Sequence, residues 1–182
     1  MSAKKSLASS ESRLSSLLGP PIEIDHNAPG TITRIAMALE AVFNTALSAQ
    51  FLFYPAASIR GLLSQQTALA STSAPPAAVS FIQWSGALTM GFTGPMLLGC
   101  TNTRSGIEAR KSVYIAFSIL EGLTMPLYLW QANVLGEEGS GLVPSKLNGL
   151  TAVILPFFLW RCWVLFVKPE WFGRYREVKK EQ

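Results

Sequence analysis

Four runs of about 20 residues with almost no charge constrain this chain more than any other feature. They cover Ile32 to Tyr54, Val79 to Gly99, Val113 to Ala132 and Leu147 to Val167. A helix rises about 1.5 Å per residue, so each run is long enough to cross the hydrocarbon core of a bilayer. The competing reading is four buried helices of a soluble domain, but a soluble helix carries a polar stripe along one face, and these runs carry none. Composition points the same way. Only 14% of the 182 residues are charged and 49% are hydrophobic, whereas soluble domains are about a quarter charged.

The few basic residues orient the chain. With four spans, the N-terminus, the loop 100–112 and the C-terminal tail share one side. That side holds twelve Lys and Arg: Lys4, Lys5, Arg13, Arg34, Arg104, Arg110, Lys111, Lys168, Arg174, Arg176, Lys179 and Lys180. The opposite side holds two, Arg60 and Lys146. Basic flanks stay in the cytosol, so the expectation is an all-α, four-helix transmembrane bundle with both termini cytosolic. The net charge of +4 is then accounted for by topology and anionic lipid, with no nucleic-acid partner.

The organisation follows as a cytosolic, mostly disordered tail over 1–30, a four-span domain over 31–168 and a basic tail over 169–182. The Leu14–Leu18 cluster is too short for a signal peptide, and Gly19-Pro20-Pro21 ends it. Pro29-Gly30-Thr31 marks a turn and a helix start. The links 61–78 and Gly136 to Pro144 read as loops. Trp171 and Phe172 read as interface anchors, and Arg174-Tyr175-Arg176 as a segment lying on the cytosolic leaflet. Cys100 and Cys162 form no CxxC pair and read as small apolar residues.

Polar groups inside the runs carry the chemical information. Glu40 and Asn44 share a face of the first run, Glu121 sits near the middle of the third, and Arg161 lies in the fourth. Counting from the centre of each run places all three ionisable groups within roughly 6 Å of the midplane, in the cytosolic half. Ionisable groups in hydrocarbon face the interior and find partners. The three are therefore expected to meet. Tyr114, Glu121 and Tyr128 repeat at i, i+7 and share a face of their helix. Gln50, Gln83, Gln131, Trp84 and Trp130 fall nearer the opposite side, where Gln83 and Trp84 are candidate substrate contacts and ordinary interface residues are the simpler reading. Pro55, Pro95, Pro126 and Pro156 are assigned one to each span. Pro126 cannot donate to the Gly122 carbonyl, beside Glu121. Gly86, Ala87, Gly91, Gly94 and Gly99 suit close helix packing.

Two carboxylates and one arginine in a dry site separate an acid from a base: one carboxylate pairs with Arg161 and stays ionised, the other holds a proton. This arrangement suits epoxide opening, isomerisation or cyclisation of a lipophilic substrate, with Glu40, Glu121 and Arg161 catalytic and Asn44, Tyr114 and Tyr128 as substrate contacts. The same parts also suit a charge cluster that fixes helix register without turnover. No H-x-x-x-H, GxSxG, Walker A or GxGxxG pattern occurs, and the lone histidine, His26, lies in the N-terminal tail. No cofactor and no metal are expected.

The stretch Gln50-Phe51-Leu52-Phe53-Tyr54-Pro55-Ala56-Ala57-Ser58-Ile59-Arg60, the run Ile82-Gln83-Trp84-Ser85-Gly86 and the pair Thr103-Arg104 followed by Glu108 resemble a group of small multi-span fungal membrane proteins. The resemblance covers roughly residues 32–168. Some members of that group resemble auxiliary enzymes of secondary metabolism, encoded with polyketide or terpenoid pathways, and include hydrolases that open polyene epoxides on the way to cyclic ethers. It implies a membrane hydrolase or cyclase acting on a polyketide-like epoxide and associating with other pathway enzymes; the membrane is expected to be an internal one, the endoplasmic reticulum. A looser likeness in kind is to sterol-isomerase-type bundles, from which this chain departs in having no histidine within its spans. The alternative is a non-catalytic membrane accessory or structural subunit.

Overall fold

The computed structural model describes residues 22–63 and 74–177. Lys4, Lys5, Arg13, the Leu14–Leu18 cluster, Lys179 and Lys180 lie outside the described residues. The protein is mostly helical. A short strand β1 (Ile22–Ile24) precedes helix α1 (Thr31–Phe53), followed by α2 (Pro55–Arg60) and α3 (Pro76–Gly99). Then come α4 (Arg104–Trp130), a π-helical segment (Gln131–Leu135), α5 (Gly136–Ser140) and α6 (Pro144–Phe166). A 3-10 turn (Pro169–Phe172) and strand β2 (Tyr175–Glu177) complete the described chain.

Local sequence explains most of the boundaries. Gly30 adopts φ 68°, which turns the chain into α1. Tyr54 precedes a proline and leaves the helical region, so α1 stops there. Pro55, Pro76 and Pro144 each occupy a first-turn position, where a missing N–H costs no hydrogen bond. Pro55 therefore starts α2 and does not interrupt the first long helix. Thr103 caps α4 by accepting from the Gly106 N–H at 3.1 Å, so α4 begins before the expected Val113.

The link expected as a loop before Pro144 is largely helical. Glu137 and Glu138 lie in the first turn of α5, where carboxylates oppose the helix dipole, and Gly141 closes it at φ 68°. Over residues 22–30 the expectation of a disordered tail is corrected, while residues 1–21 lie outside the described residues. Ile22, Glu23 and Ile24 pair antiparallel with Glu177, Arg176 and Tyr175. Ladder hydrogen bonds satisfy both backbones, so Tyr175 and Arg176 belong to a strand.

Helix α1 packs on α3, α3 on α4, and α4 on α6. Met37 and Ala41, Met96, Val113, Tyr114, Phe117 and Val164 form the main buried cluster, closed at one end by Phe172. At Gly86 an added Cβ would fall 2.9 Å from Phe51 Cβ and 3.1 Å from the Ser48 carbonyl oxygen, so only glycine lets α1 and α3 approach this closely. Three helical stretches are long and apolar enough to cross a membrane: Thr31–Phe53, Arg104–Ser140 and Pro144–Phe166. Helix α3 falls short of that standard; its run is diluted by Gly, Ser and Thr. Large apolar side chains such as Leu39, Val42 and Leu123 are about 70% exposed. Apolar surface of this extent fits a membrane protein and not a water-facing monomer.

One end of the helices is knit together by Arg110, which is fully buried. Its Nε donates to the Gly99 carbonyl at 2.8 Å and its Nη1 to the Phe172 carbonyl at 2.6 Å. Its Nη2 donates to the Thr101 carbonyl and to Asn102 Oδ1. Gly30 and Gly173, at φ 68° and 91°, leave room for this guanidinium, which a Cβ at either position would strike. Thr33 Oγ1 donates to the Trp171 carbonyl at 2.7 Å, and Tyr175 donates its hydroxyl proton to Glu108 at 2.5 Å. At the other end, the Val143 N–H donates to the Leu62 carbonyl at 2.9 Å.

Trp171 and Phe172 therefore do not act as the expected outward anchors. Phe172 packs edge-on to Tyr114 at 5.2 Å and Trp171 lies 5.7 Å from Trp160. Both plug the end of the helical core. Burial raises the Cys100 thiol above its ordinary value, outweighing the pull of Arg34 and Arg110. The thiol donates to the Met96 carbonyl at 3.3 Å, and Cys100 and Cys162 are both free.

Candidate functional site

Three helices deliver the three ionisable groups to one point. Glu40 lies on the inner face of α1, one turn from Met37 and Asn44. Glu121 lies on the face of α4 that carries Tyr114 and Met125. Arg161 lies on the buried stripe of α6 with Leu147 and Val164. Arg161 Nη1 hydrogen-bonds Glu121 Oε1, and its Nη2 forms an ion pair with Glu40 Oε1 without the alignment of a hydrogen bond. The side chains are 1% exposed for Arg161 and 13% for each glutamate. The guanidinium also faces aromatic rings, with its carbon 4.9 Å from the Phe117 centroid and 6.0 Å from that of Tyr114.

Not every valence in the cluster is used. Glu121 Oε2, Arg161 Nε and Arg161 Nη2 are buried and have no hydrogen-bond partner among the described residues, Nη2 meeting Glu40 only as an ion pair. The cluster thus leaves an acceptor on Glu121 and donors on Arg161 without hydrogen bonds, on groups that are otherwise held together. An unpaired polar atom in a low-dielectric interior is costly.

The other expected contacts divide. Tyr114 is buried beside Arg161, and its hydroxyl accepts from Trp160 Nε1 at 3.2 Å. Asn44 is buried one turn from Glu40, but its Nδ2 is directed at Met96 Sδ, 3.5 Å away. Tyr128 is half-buried, two turns beyond Glu121 on the same face. Gln83 and Trp84 are not brought to the cluster. The buried face of α3 is Ile82, Gly86, Thr93, Met96 and Gly99, which turns Gln83 and Trp84 outward. Trp84 borders a shallow apolar groove with Leu88, Phe92 and Pro95. Gln50 and Trp130 are likewise exposed.

Sequence reasoning missed Phe117, which stacks under the guanidinium, and Ser118, whose buried hydroxyl has no partner among the described residues. Both follow from helical spacing, since each lies within one turn of Glu121. Comparison of the chain with protein-family models, with curated proteins and with solved structures finds no match. The chemistry of the site has to be read from its own atoms.

Proposed function

We propose that the chain is an integral membrane enzyme that opens an epoxide, by hydrolysis or cyclisation, on a lipophilic secondary metabolite such as a polyketide. The observation that carries this reading is the pair of carboxylates, Glu40 and Glu121, held from two helices on the single guanidinium of Arg161. Two carboxylates against one cation in a low-dielectric site favour neutrality, with one proton shared by the pair. The protonated carboxyl gives its proton to the ring oxygen as the C–O bond breaks. The ionised one takes a proton from water or from an internal hydroxyl as that oxygen bonds to carbon. Arg161 stabilises the developing negative charge. Tyr114, Tyr128 and Asn44 lie on the faces around the reacting atoms and orient the chain of the substrate.

The proposed topology is a four-span bundle with both ends in the cytosol, in the endoplasmic reticulum. Support comes from the twelve-to-two distribution of basic residues and from the pairing of β1 with β2, which brings the two ends of the described chain to one side. Helix α3 is the fourth span in this reading. Its 24 residues contain no charged side chain, and they pack between α1 and α4.

A second reading, a non-catalytic accessory subunit associated with other pathway enzymes, draws on the depth of the cluster and the aromatic cover over Arg161. Metabolite profiling separates the two. Cells lacking the protein are complemented with wild type, Glu40→Gln or Glu121→Gln at matched membrane levels. Accumulation of an epoxide or uncyclised precursor that wild type clears and either variant does not supports the enzyme. Full restoration of the product by both variants moves the assignment to the accessory subunit.

A further inference from the structure

We infer that the segment Pro169 to Glu177 is a lid over the Glu40–Glu121–Arg161 cluster, latched at its rim by Tyr175 on Glu108, and that its opening admits water to the cluster. The inference deepens the enzyme reading and rests on it for what the water does there, but not for the opening itself. Hydrolysis needs water, and the closed cluster gives little access, with the Arg161 side chain 1% exposed. Two rings lie between the segment and the cluster. Phe172 meets Tyr114 edge-on at 5.2 Å, and the Tyr114 centroid is 6.0 Å from the guanidinium carbon of Arg161. Beside them Trp171 lies 5.7 Å from Trp160, whose Nε1 donates to the Tyr114 hydroxyl at 3.2 Å. Withdrawal of Phe172 and Trp171 uncovers Tyr114, the ring next to Arg161.

The attachments let the segment leave while the helices stay packed. Thr33 donates to the Trp171 carbonyl and Arg110 to the Phe172 carbonyl. When Phe172 withdraws, Arg110 keeps Gly99, Thr101 and Asn102 as partners, so the end of α3 stays tied to α4. Residues 22–28 move with the lid, because β1 pairs with β2 and Arg174 exchanges backbone hydrogen bonds with Asp25 and Ala28. This ribbon joins the helices at Gly30, before α1, and at Lys168, after α6. Both are element ends, where a hinge absorbs backbone rotation. The latch is the outermost part. Glu108 accepts from the Tyr175 hydroxyl and pairs with Arg104 at 3.1 Å, and Arg104 lies over the Tyr175 ring at 5.9 Å. The Arg104 and Glu108 side chains are 41% and 54% exposed, so water competes for the latch while Phe172 stays buried.

The test is thiol accessibility of the full chain in lipid nanodiscs. Cys100 and Cys162 are replaced by Ala, and Val164→Cys puts a thiol on the buried stripe of α6, one turn from Arg161 and in the same packed cluster as Phe172. The probe is a quaternary-ammonium methanethiosulfonate, a permanent cation that travels in water and not in hydrocarbon. The thiol should react slowly under the closed lid. Tyr175→Phe, which removes the latch hydrogen bond, should speed the reaction about three-fold. Gly173→Ala puts a Cβ 2.7 Å from Arg110 Nη1, keeps the lid from seating, and should speed it about ten-fold or more. Hydrogen exchange of residues 22–28 and 169–177 should run together, ahead of α4 and α6, and faster in both variants. If Gly173→Ala loses protection in α4 and α6 it is unfolded, and Tyr175→Phe alone decides. A labelling rate that Tyr175→Phe leaves unchanged overturns the lid, as does exchange of the ribbon no faster than that of α4 and α6. An opening lid together with full product restoration by Glu40→Gln and Glu121→Gln leaves the lid standing and removes the enzyme reading. A fixed lid together with product loss in those two variants does the reverse.

Discussion

At the scale of the residue, the cost of an ionisable group in hydrocarbon is what made the cluster legible. Glu40, Glu121 and Arg161 are separated widely in sequence, yet counting along each run puts them at one depth, and the ion pairs join them. Arg161→Met should leave two carboxylates without their cation and destabilise the protein by about 3–5 kcal/mol. The triple change Glu40→Gln, Glu121→Gln, Arg161→Met should recover most of that loss, as read from thermal unfolding in detergent. Equal midpoints for the single and triple variants would mean that the charges do not interact energetically. Arg110 was not legible in the same way. Its sequence neighbours, Lys111 among them, mark it as one more cytosolic charge, and the reading of the sequence used it to orient the chain. It is instead fully buried, held by carbonyls at the end of α3 and by Phe172. The missed signal was its position one turn before Tyr114, on the inner face of α4.

At the scale of the element, hydrophobic runs located the four long helices within a few residues, except for the start of α4. Capping chemistry set those ends, and Thr103 extends α4 well past the apolar run. The inward direction of each helix was harder to read. Helix α3 is apolar nearly all round, so periodicity could not distinguish the face carrying Gly86 from the face carrying Trp84. Its glycines are not equivalent. Gly86→Ala should push α1 and α3 apart, against Phe51 and the Ser48 carbonyl, and cost about 1–3 kcal/mol. At Gly91 and Gly94 an added Cβ meets nothing within 4 Å among the described residues. Alanine there should be neutral or stabilise by up to about 1 kcal/mol through helix propensity. Thermal unfolding of the three variants side by side tests the assignment of faces, and the same loss at all three positions would contradict it.

At the scale of the whole molecule, the four-span reading makes a topological prediction. Glycosylation sequons added at the N-terminus or after residue 177 should remain unmodified in microsomes, whereas one placed within residues 64–73 should be glycosylated. Modification of the N-terminal sequon would reject the proposed orientation, modification of the sequon after residue 177 alone would reject α3 as the fourth span, and an unmodified 64–73 sequon would reject the crossing of α1.

The pairing of β1 with β2 also has a consequence for how the chain is made. Ile22 to Ile24 precede, and Tyr175 to Glu177 follow, every long helix described, so the first strand must wait, unpaired, until those helices have been made. Phe172, whose carbonyl completes the shell around Arg110, arrives equally late. A chain truncated or stalled before this point would carry an open strand edge and an incompletely bonded buried cation together. The closing of the ladder thus marks the point at which all of these helices have been made.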